Sequence, residues 1–167
     1  MDSASIGGVI GLVIQTLELV HKRREGRLRK EEAQGLYARI YASLLWEMSQ
    51  TLNRCKGMLS QAAKGFLSAG VLSFFVRDAL FPDFCIMCPE PSVVARVNQL
   101  YAALERIHHW QRQTTSLADE GVQYALGYAK DLFFDKDLHT TFNELVDAVA
   151  KPSPNVAIPP KVESLNH

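Results

Sequence analysis

The chain has 167 residues, of which 47 % are hydrophobic and 22 % are charged, so it is long and apolar enough for one domain with a real core and is not globally disordered. Its 18 lysine and arginine residues balance its 18 aspartate and glutamate residues, and this zero net charge gives no reason to expect nucleic acid as a partner. Three cysteines are too few for a secreted disulfide scaffold and favour a reducing environment.

The first segment, from Ala4 to Val20, is almost entirely apolar, and Glu18 is its one charged residue. As a helix it would be about 26 Å long, slightly short of a hydrocarbon core of about 30 Å. Its aliphatic residues cover a wider arc than the stripe that a soluble helix needs. The segment therefore predicts an N-terminal membrane anchor helix over residues 1–21. A buried first helix of a soluble bundle and an interfacial helix lying flat on a membrane stay open as alternatives.

One side of this predicted helix is lined by small and polar residues. Gly7 and Gly11 form a G-x-x-x-G pair, which lets two membrane helices approach each other closely. Gln15 and Glu18 continue the same face and could form hydrogen bonds across it. We therefore expect this face to bind a second copy of the chain or another membrane helix.

A basic juxtamembrane segment follows over residues 22–32. It contains six of the eighteen basic residues of the chain, and we expect them to contact anionic lipid headgroups: Lys22, Arg23, Arg24, Arg27, Arg29 and Lys30. Because basic residues stay on the cytoplasmic side, the pattern predicts a single-pass topology with the N-terminus outside and the C-terminal domain in the cytoplasm. A solvated helix face is the alternative interpretation of the cluster, and the two are compatible.

The remainder predicts an all-α fold, in which the anchor continues into a small antiparallel cytoplasmic bundle over residues 33–150. Apolar residues spaced three and four apart indicate a helix over about 31–63, a shorter one over 66–81, a third from Pro91 or Ser92 to about 117 and a last helical region over 119–150. Three prolines predict a loop from Pro82 to Pro91. Residues 151–167 hold four of the seven prolines and read as an extended or disordered tail.

Candidate chemistry is sparse. Cys85 and Cys88 have the C-x-x-C spacing of zinc and thiol redox sites, but only Cys55 and the histidines near His108 could complete a zinc site, at no recognisable spacing. Glu105 and His108 have the spacing of one half of a di-iron site, and no second half exists. No phosphate loop or serine elbow is present. We therefore expect neither an enzyme nor a cofactor.

The order of these features resembles a diffuse group of bacterial membrane proteins. The resemblance covers roughly residues 5–117 and rests on the basic collar and on the stretches "LYARIYASLLWEMSQTLNRCKGML", "FLSAGVLSFF" and "VNQLYAALERIHHW". It implies a membrane-anchored helical domain and carries over no catalytic residue. We thus expect a membrane-anchored interaction or accessory subunit of a membrane complex. The alternative is a soluble helical bundle that binds a metal or small ligand through Cys and His.

Overall fold

The computed structural model describes residues 3–62, 74–114, 136–150 and 156–162. Inside the helices, the side chains of residues 3–8, 34, 55–62, 107–108, 110–114, 136–137 and 150 lie outside the description. All regular secondary structure in the described part of the chain is helical, which confirms the all-α prediction. The described helices are α1 (Ser3–Arg24), α2 (Lys30–Ala62), α3 (Phe75–Met87), α4 (Pro91–Thr114) and α5 (Lys136–Ala150).

A tight turn separates α1 from α2, which begins at Lys30, close to the predicted start of this helix at about residue 31. Gly26 adopts a left-handed conformation with φ 70°, which a residue without a Cβ tolerates best. Its N–H donates to the Arg23 carbonyl over 2.9 Å, and the N–H of Arg27 donates to the Lys22 carbonyl over 2.9 Å. This paired arrangement is the Schellman motif that commonly ends helices. It reverses the chain, and α1 then packs against α2 and α3.

The long helix α2 occupies the centre of the fold, because it contacts each of the other four described helices. The spacing of three and four predicted an apolar stripe along this helix, and of its described positions Tyr41, Leu44, Met48 and Leu52 are buried, while Tyr37 is half-buried. Burial extends further round the helix than one stripe requires, with further fully buried residues at Leu36, Ile40, Ala42 and Leu45. A helix that is covered on several sides is expected at the middle of a bundle.

Helix α3 corrects the predicted loop at Pro82 to Pro91, because it runs through Pro82 and ends at Met87. A proline inside a helix removes one backbone hydrogen bond and destabilises it by about 3 kcal/mol. The flanking residues compensate: Leu80 and Phe84 are fully buried in the core, and Asp83 binds two arginines of α1. Only the stretch between Met87 and Pro91 connects α3 to α4.

The remaining elements complete the core. Helix α4 begins at Pro91 as predicted and buries Val97, Leu100, Tyr101 and Leu104. Helix α5 buries Leu138, Phe142, Leu145 and Val149, whose spacing of three and four predicted a helix there. Residues 66–73 of the helix predicted over 66–81 and residues 119–135 of the last predicted helical region lie outside the described residues. Residues 156–162 form no helix and pack against the bundle through Ile158 and Val162.

Candidate functional site

Helix α1 has an inner face and an outer face. On the inner face, Thr16, Leu19 and Val20 are buried against the bundle. The Thr16 hydroxyl donates to the Leu12 carbonyl over 2.7 Å, so this buried polar group is satisfied within its own helix. The aliphatic residues that the sequence analysis assigned to lipid are thus divided between two environments, because Leu19 and Val20 belong to the core.

The outer face of α1 carries the residues that were predicted to bind another helix. Gln15 and Glu18 are exposed. A Cβ built on Gly11 would meet no atom within 4 Å, so the described part of the fold does not require a glycine there. Gly7 lies in α1, and its surroundings are outside the description. We use the term outer face of α1 for Ile10, Gly11, Ile14, Gln15 and Glu18.

Two aliphatic side chains of the outer face stand in solvent. Ile10 is 54 % exposed and Ile14 is 52 % exposed. They are four residues apart, so they lie one above the other on the same side of the helix. Exposed single apolar residues are ordinary, but a pair on one turn beside a cationic segment is a feature that a partner surface or a lipid surface can use.

The six cations of the basic segment fall into two groups. Arg23 and Arg24 both bind the carboxylate of Asp83 on α3, Arg23 over 2.9 Å. The Asp83 side chain is only 4 % exposed, so this contact connects α1 to α3 at a buried acid. Asp83 was not predicted from the sequence, although an acid between Leu80 and Phe84 in an apolar stretch was a signal for a buried ion pair.

The second group of cations faces solvent. Lys22 is 48 % exposed and lies 3.8 Å from Glu32, and Arg27 is 68 % exposed and pairs with Glu25. Arg29 and Lys30 are exposed as well. Surface ion pairs of this kind contribute little to stability, since water and salt screen them. These cations therefore stay available to an anionic ligand.

A cleft of about 500 Å³ lies at the α1–α2 turn, lined by Lys22, Arg27, Arg29 and Glu32. Three cations and one acid give it a positive lining. The Glu32 carboxylate is partly engaged, because it accepts the backbone N–H of Arg29 over 3.2 Å. The arrangement suits phosphate oxygens, which arginine and lysine bind through charge-assisted hydrogen bonds.

The predicted metal candidates do not form a described cluster. Cys85 is exposed and Cys88 is half-buried. The Cys88 Sγ lies 3.4 Å from the Tyr37 hydroxyl and 3.3 Å from the Glu90 carbonyl oxygen. Cys55 lies in α2 and His108 in α4, with their side chains outside the description. Within the residues that the structure describes, no three His, Cys, Asp or Glu side chains converge on one point. The metal and redox hypothesis stays a prediction.

A buried polar network connects α2, α3 and α4. The Glu47 carboxylate on α2 accepts the N–H groups of Val76 and Arg77 over 2.7 and 2.9 Å, and so caps the N-terminus of α3. The Tyr101 hydroxyl on α4 donates to the same carboxylate over 2.9 Å. Burial raises the pKa of Glu47, while these three hydrogen bonds oppose the rise. All polar atoms of this network have partners, so it is structural and offers no open site.

Within the described residues, no helix combines the length and the apolarity that crossing a bilayer requires. No family model matches this chain, and no curated protein or solved structure matches it significantly. The resemblance to bacterial membrane proteins therefore stays a prediction, as do the single-pass topology and the interface at Gly7, Gly11, Gln15 and Glu18. The candidate site rests on the outer face of α1 and on the cationic cleft beside it.

Proposed function

We propose that this chain is a non-enzymatic helical interaction module that attaches reversibly to an anionic membrane surface. The outer face of α1 would rest in the interfacial region of the lipid, and the cations at the α1–α2 turn would contact the headgroups. The bundle would remain above the surface and present its other sides to protein partners of a membrane complex.

One observation carries the proposal: the exposed pair Ile10 and Ile14 lies on the same helix as a solvent-facing cationic cleft. Amphipathic helices that lie on membranes combine these two elements, an apolar strip and neighbouring lysine or arginine residues. Charge complementarity favours an anionic lipid surface over a neutral partner helix as the occupant of this face.

The expected affinity is modest. Burial of the exposed halves of Ile10 and Ile14 would contribute about 1–1.5 kcal/mol each. Lys22, Arg27 and Arg29 would each contribute about 1 kcal/mol beside an anionic surface. The total of roughly 5 kcal/mol corresponds to a dissociation constant of about 0.2 mM in accessible lipid. Such binding is reversible and is favoured when a second contact, such as a protein partner, holds the module in place.

Surface attachment leaves the contacts of α1 with the bundle intact. A helix that spans the bilayer would have to expose Leu19 and Val20 and to separate Arg23 and Arg24 from Asp83. A helix that lies on the membrane uses only the opposite face. Single-pass insertion with the N-terminus outside is therefore the second arrangement that the experiments must distinguish.

Vesicle flotation of the full chain tests the proposal. Vesicles of phosphatidylcholine alone are compared with vesicles that contain phosphatidylglycerol. We expect flotation only with the anionic vesicles, and a loss of affinity of about thirtyfold or more for the chain with Ile10→Ser and Ile14→Ser, because the two side chains supply about 2–3 kcal/mol of the binding energy. The matched control is Ile86→Ser, since Ile86 is 71 % exposed and lies on α3 instead of α1.

Charge reversal provides the second half of the test. Lys22→Glu with Arg27→Glu should abolish flotation, whereas the control Arg54→Glu with Arg106→Glu, at exposed cations of α2 and α4, should not. If both double substitutions lowered flotation equally, the effect would depend only on the net charge of the chain, and this result would contradict the proposed site. Flotation that is unchanged by all four substitutions in α1 and the turn would also contradict the proposed site.

A further inference from the structure

Residues 156–162 lie against the bundle as an extended segment, which we call the docked tail. Ile158 and Val162 pack against the hydrophobic core, and Pro159 is buried. The segment has no internal helix or turn that would hold it in shape. Its conformation is therefore set by the surface that receives it.

Three side chains of the bundle bind the docked tail, and two of them recognise its backbone. The Trp46 indole N–H on α2 donates to the Ala157 carbonyl over 3.0 Å. The Asn143 amide on α5 donates to the Val162 carbonyl over 3.0 Å and accepts the Val162 N–H over 2.9 Å. One asparagine thus satisfies both backbone groups of one residue, as a neighbouring β-strand would.

The third contact recognises a side chain of the docked tail. Lys161 Nζ lies 2.8 Å from Asp147 Oδ2 at the exposed rim of α5. Together with the apolar positions at Ile158 and Val162, these contacts define a pattern that a ligand must supply: an aliphatic residue, two prolines, a basic residue and another aliphatic residue. Prolines keep such a segment extended before it binds, which lowers the entropy lost on docking.

We propose that this surface, the tail groove formed by Trp46, Asn143 and Asp147, is a peptide-binding site. Its ligand would be an extended aliphatic-Pro-Pro-basic-aliphatic segment of a protein partner, and the docked tail would be its resident competitor. The inference rests on the proposed function only in treating the chain as an interaction module. The recognition itself depends on backbone and charge contacts that any segment of this pattern can make.

The tether makes the tail a strong competitor. A segment joined to the bundle through residues 151–155 acts at an effective concentration of the order of millimolar. A free peptide with the same contacts must compete with that concentration, so the intact chain should bind it weakly. Anything that loosens the tail should open the groove without a change in the groove itself.

The experiment uses the full chain and a fluorescent synthetic peptide of residues 155–163, with binding followed by fluorescence anisotropy. One loosened chain carries Ile158→Ser and Val162→Ser. A second carries Lys161→Glu, which replaces the exposed ion pair with Asp147 by a repulsion between two carboxylates and leaves every buried atom in place. We expect the chain with Ile158→Ser and Val162→Ser to bind the peptide at least about tenfold more tightly than the wild-type chain, and Lys161→Glu to tighten binding by a few-fold, because the resident competitor is weakened.

Matched substitutions locate the site. Asn143→Ala in either loosened chain should abolish peptide binding, whereas Asn98→Ala, at an exposed asparagine of α4, should leave it unchanged. Asp147→Lys should prefer a peptide in which Glu replaces Lys161. These two responses require direct contact with the peptide and would not follow from a general loss of stability.

Two results would overturn the proposal. If the Lys161→Glu chain is folded and does not bind the peptide, the tail is a permanent part of the fold and the groove is not a separate site. If the wild-type chain forms a concentration-dependent dimer that Asn143→Ala dissociates, the ligand is the tail of a second copy and not a different protein. Both measurements are made without lipid. A negative result for peptide binding therefore does not contradict membrane attachment, and a negative flotation result does not contradict peptide binding.

Discussion

Asp83 on α3 accepts a hydrogen bond from Arg23 on α1 over 2.9 Å, and Arg24 binds the second oxygen of the same carboxylate. The acid is buried, with 4 % of its side chain exposed, whereas the two guanidinium groups are 31 % and 57 % exposed. The interaction is therefore asymmetric: the two guanidinium groups are already in contact with water, whereas the carboxylate is almost completely enclosed.

This asymmetry predicts the order of two mutational effects. Asp83→Asn should lower the free energy of unfolding by about 1–2 kcal/mol, because charge-assisted hydrogen bonds disappear while the arginines become hydrated. Arg23→Ala with Arg24→Ala should lower it by about 3 kcal/mol or more, because a buried carboxylate is left unpaired. Urea unfolding measures both, and adding Asp83→Asn to the double arginine variant should restore part of the loss. A smaller loss for the arginine variant than for Asp83→Asn would contradict this account.

Two buried tyrosines should respond in opposite ways to loss of their hydroxyl groups. The Tyr101 hydroxyl donates to Glu47, so Tyr101→Phe should lower the free energy of unfolding by about 1–3 kcal/mol. The Tyr41 hydroxyl is buried and has no hydrogen-bond partner among the described residues, so Tyr41→Phe should leave stability unchanged or raise it by up to about 1 kcal/mol. Thermal unfolding of the two variants, which differ by the same atom, makes the comparison. A large loss for Tyr41→Phe would show that its hydroxyl is satisfied.

The free energy of unfolding should depend on pH through Glu47, and the sign of this dependence follows from the raised pKa of Glu47. Because burial raises that pKa above its ordinary value in the folded chain, the folded state takes up the proton more readily than the unfolded state. The protonation of Glu47 therefore adds to the free energy of unfolding as the pH falls from 7 towards about 4.5. A glutamine at this position does not titrate and makes no such contribution. The loss caused by Glu47→Gln should be larger near pH 4.5 than at pH 7, by urea unfolding at each pH. A loss that is larger at pH 7 would mean that hydrogen bonds from Val76, Arg77 and Tyr101 outweigh burial.

Gly11 and Gly26 form a matched pair, since a Cβ on either would meet no atom within 4 Å. They differ in backbone conformation, because only Gly26 has a positive φ. Gly11→Ala should raise the free energy of unfolding by up to about 1 kcal/mol through better helix propensity. Gly26→Ala should lower it by about 1 kcal/mol, because the left-handed conformation strains a residue with a Cβ. A destabilising Gly11→Ala would indicate a neighbour that the described residues do not include.

The spacing of apolar residues predicted much of the fold. The stripes of α2, α4 and α5 were visible in the sequence because each of these helices buries aliphatic residues at intervals of three and four. The course of α3 was not, since a proline normally ends a helix and the contacts that retain this one, through Asp83, come from a distant segment. The end of α1 at Arg24, with Gly26 as its capping residue, was also missed, because a glycine between Glu25 and Arg27 resembles an ordinary residue of a charged linker.

The candidate site was predictable only in part. The cationic segment was evident from composition, but its division into buried and solvent-facing groups depends on where Asp83 lies in the folded chain. The docked tail shows the same limit: its prolines predicted an extended or disordered tail, whereas its partners Trp46 and Asn143 are identified only by tertiary contact. The local sequence pattern predicts the conformation of a segment, whereas the candidate site depends on contacts between residues that are distant in the chain.

Extraction of cell membranes tests the central claim most directly. The full chain is expressed, membranes are collected at physiological salt, and the pellet is washed first with 1 M salt, at which the Debye length is about 3 Å, and then with alkaline carbonate. Surface attachment through Ile10, Ile14 and the neighbouring cations predicts a chain that sediments with the membranes, is partly released by salt and is fully released by carbonate. A chain found in the soluble fraction before any wash, or one that stays in the pellet after carbonate, would contradict the account.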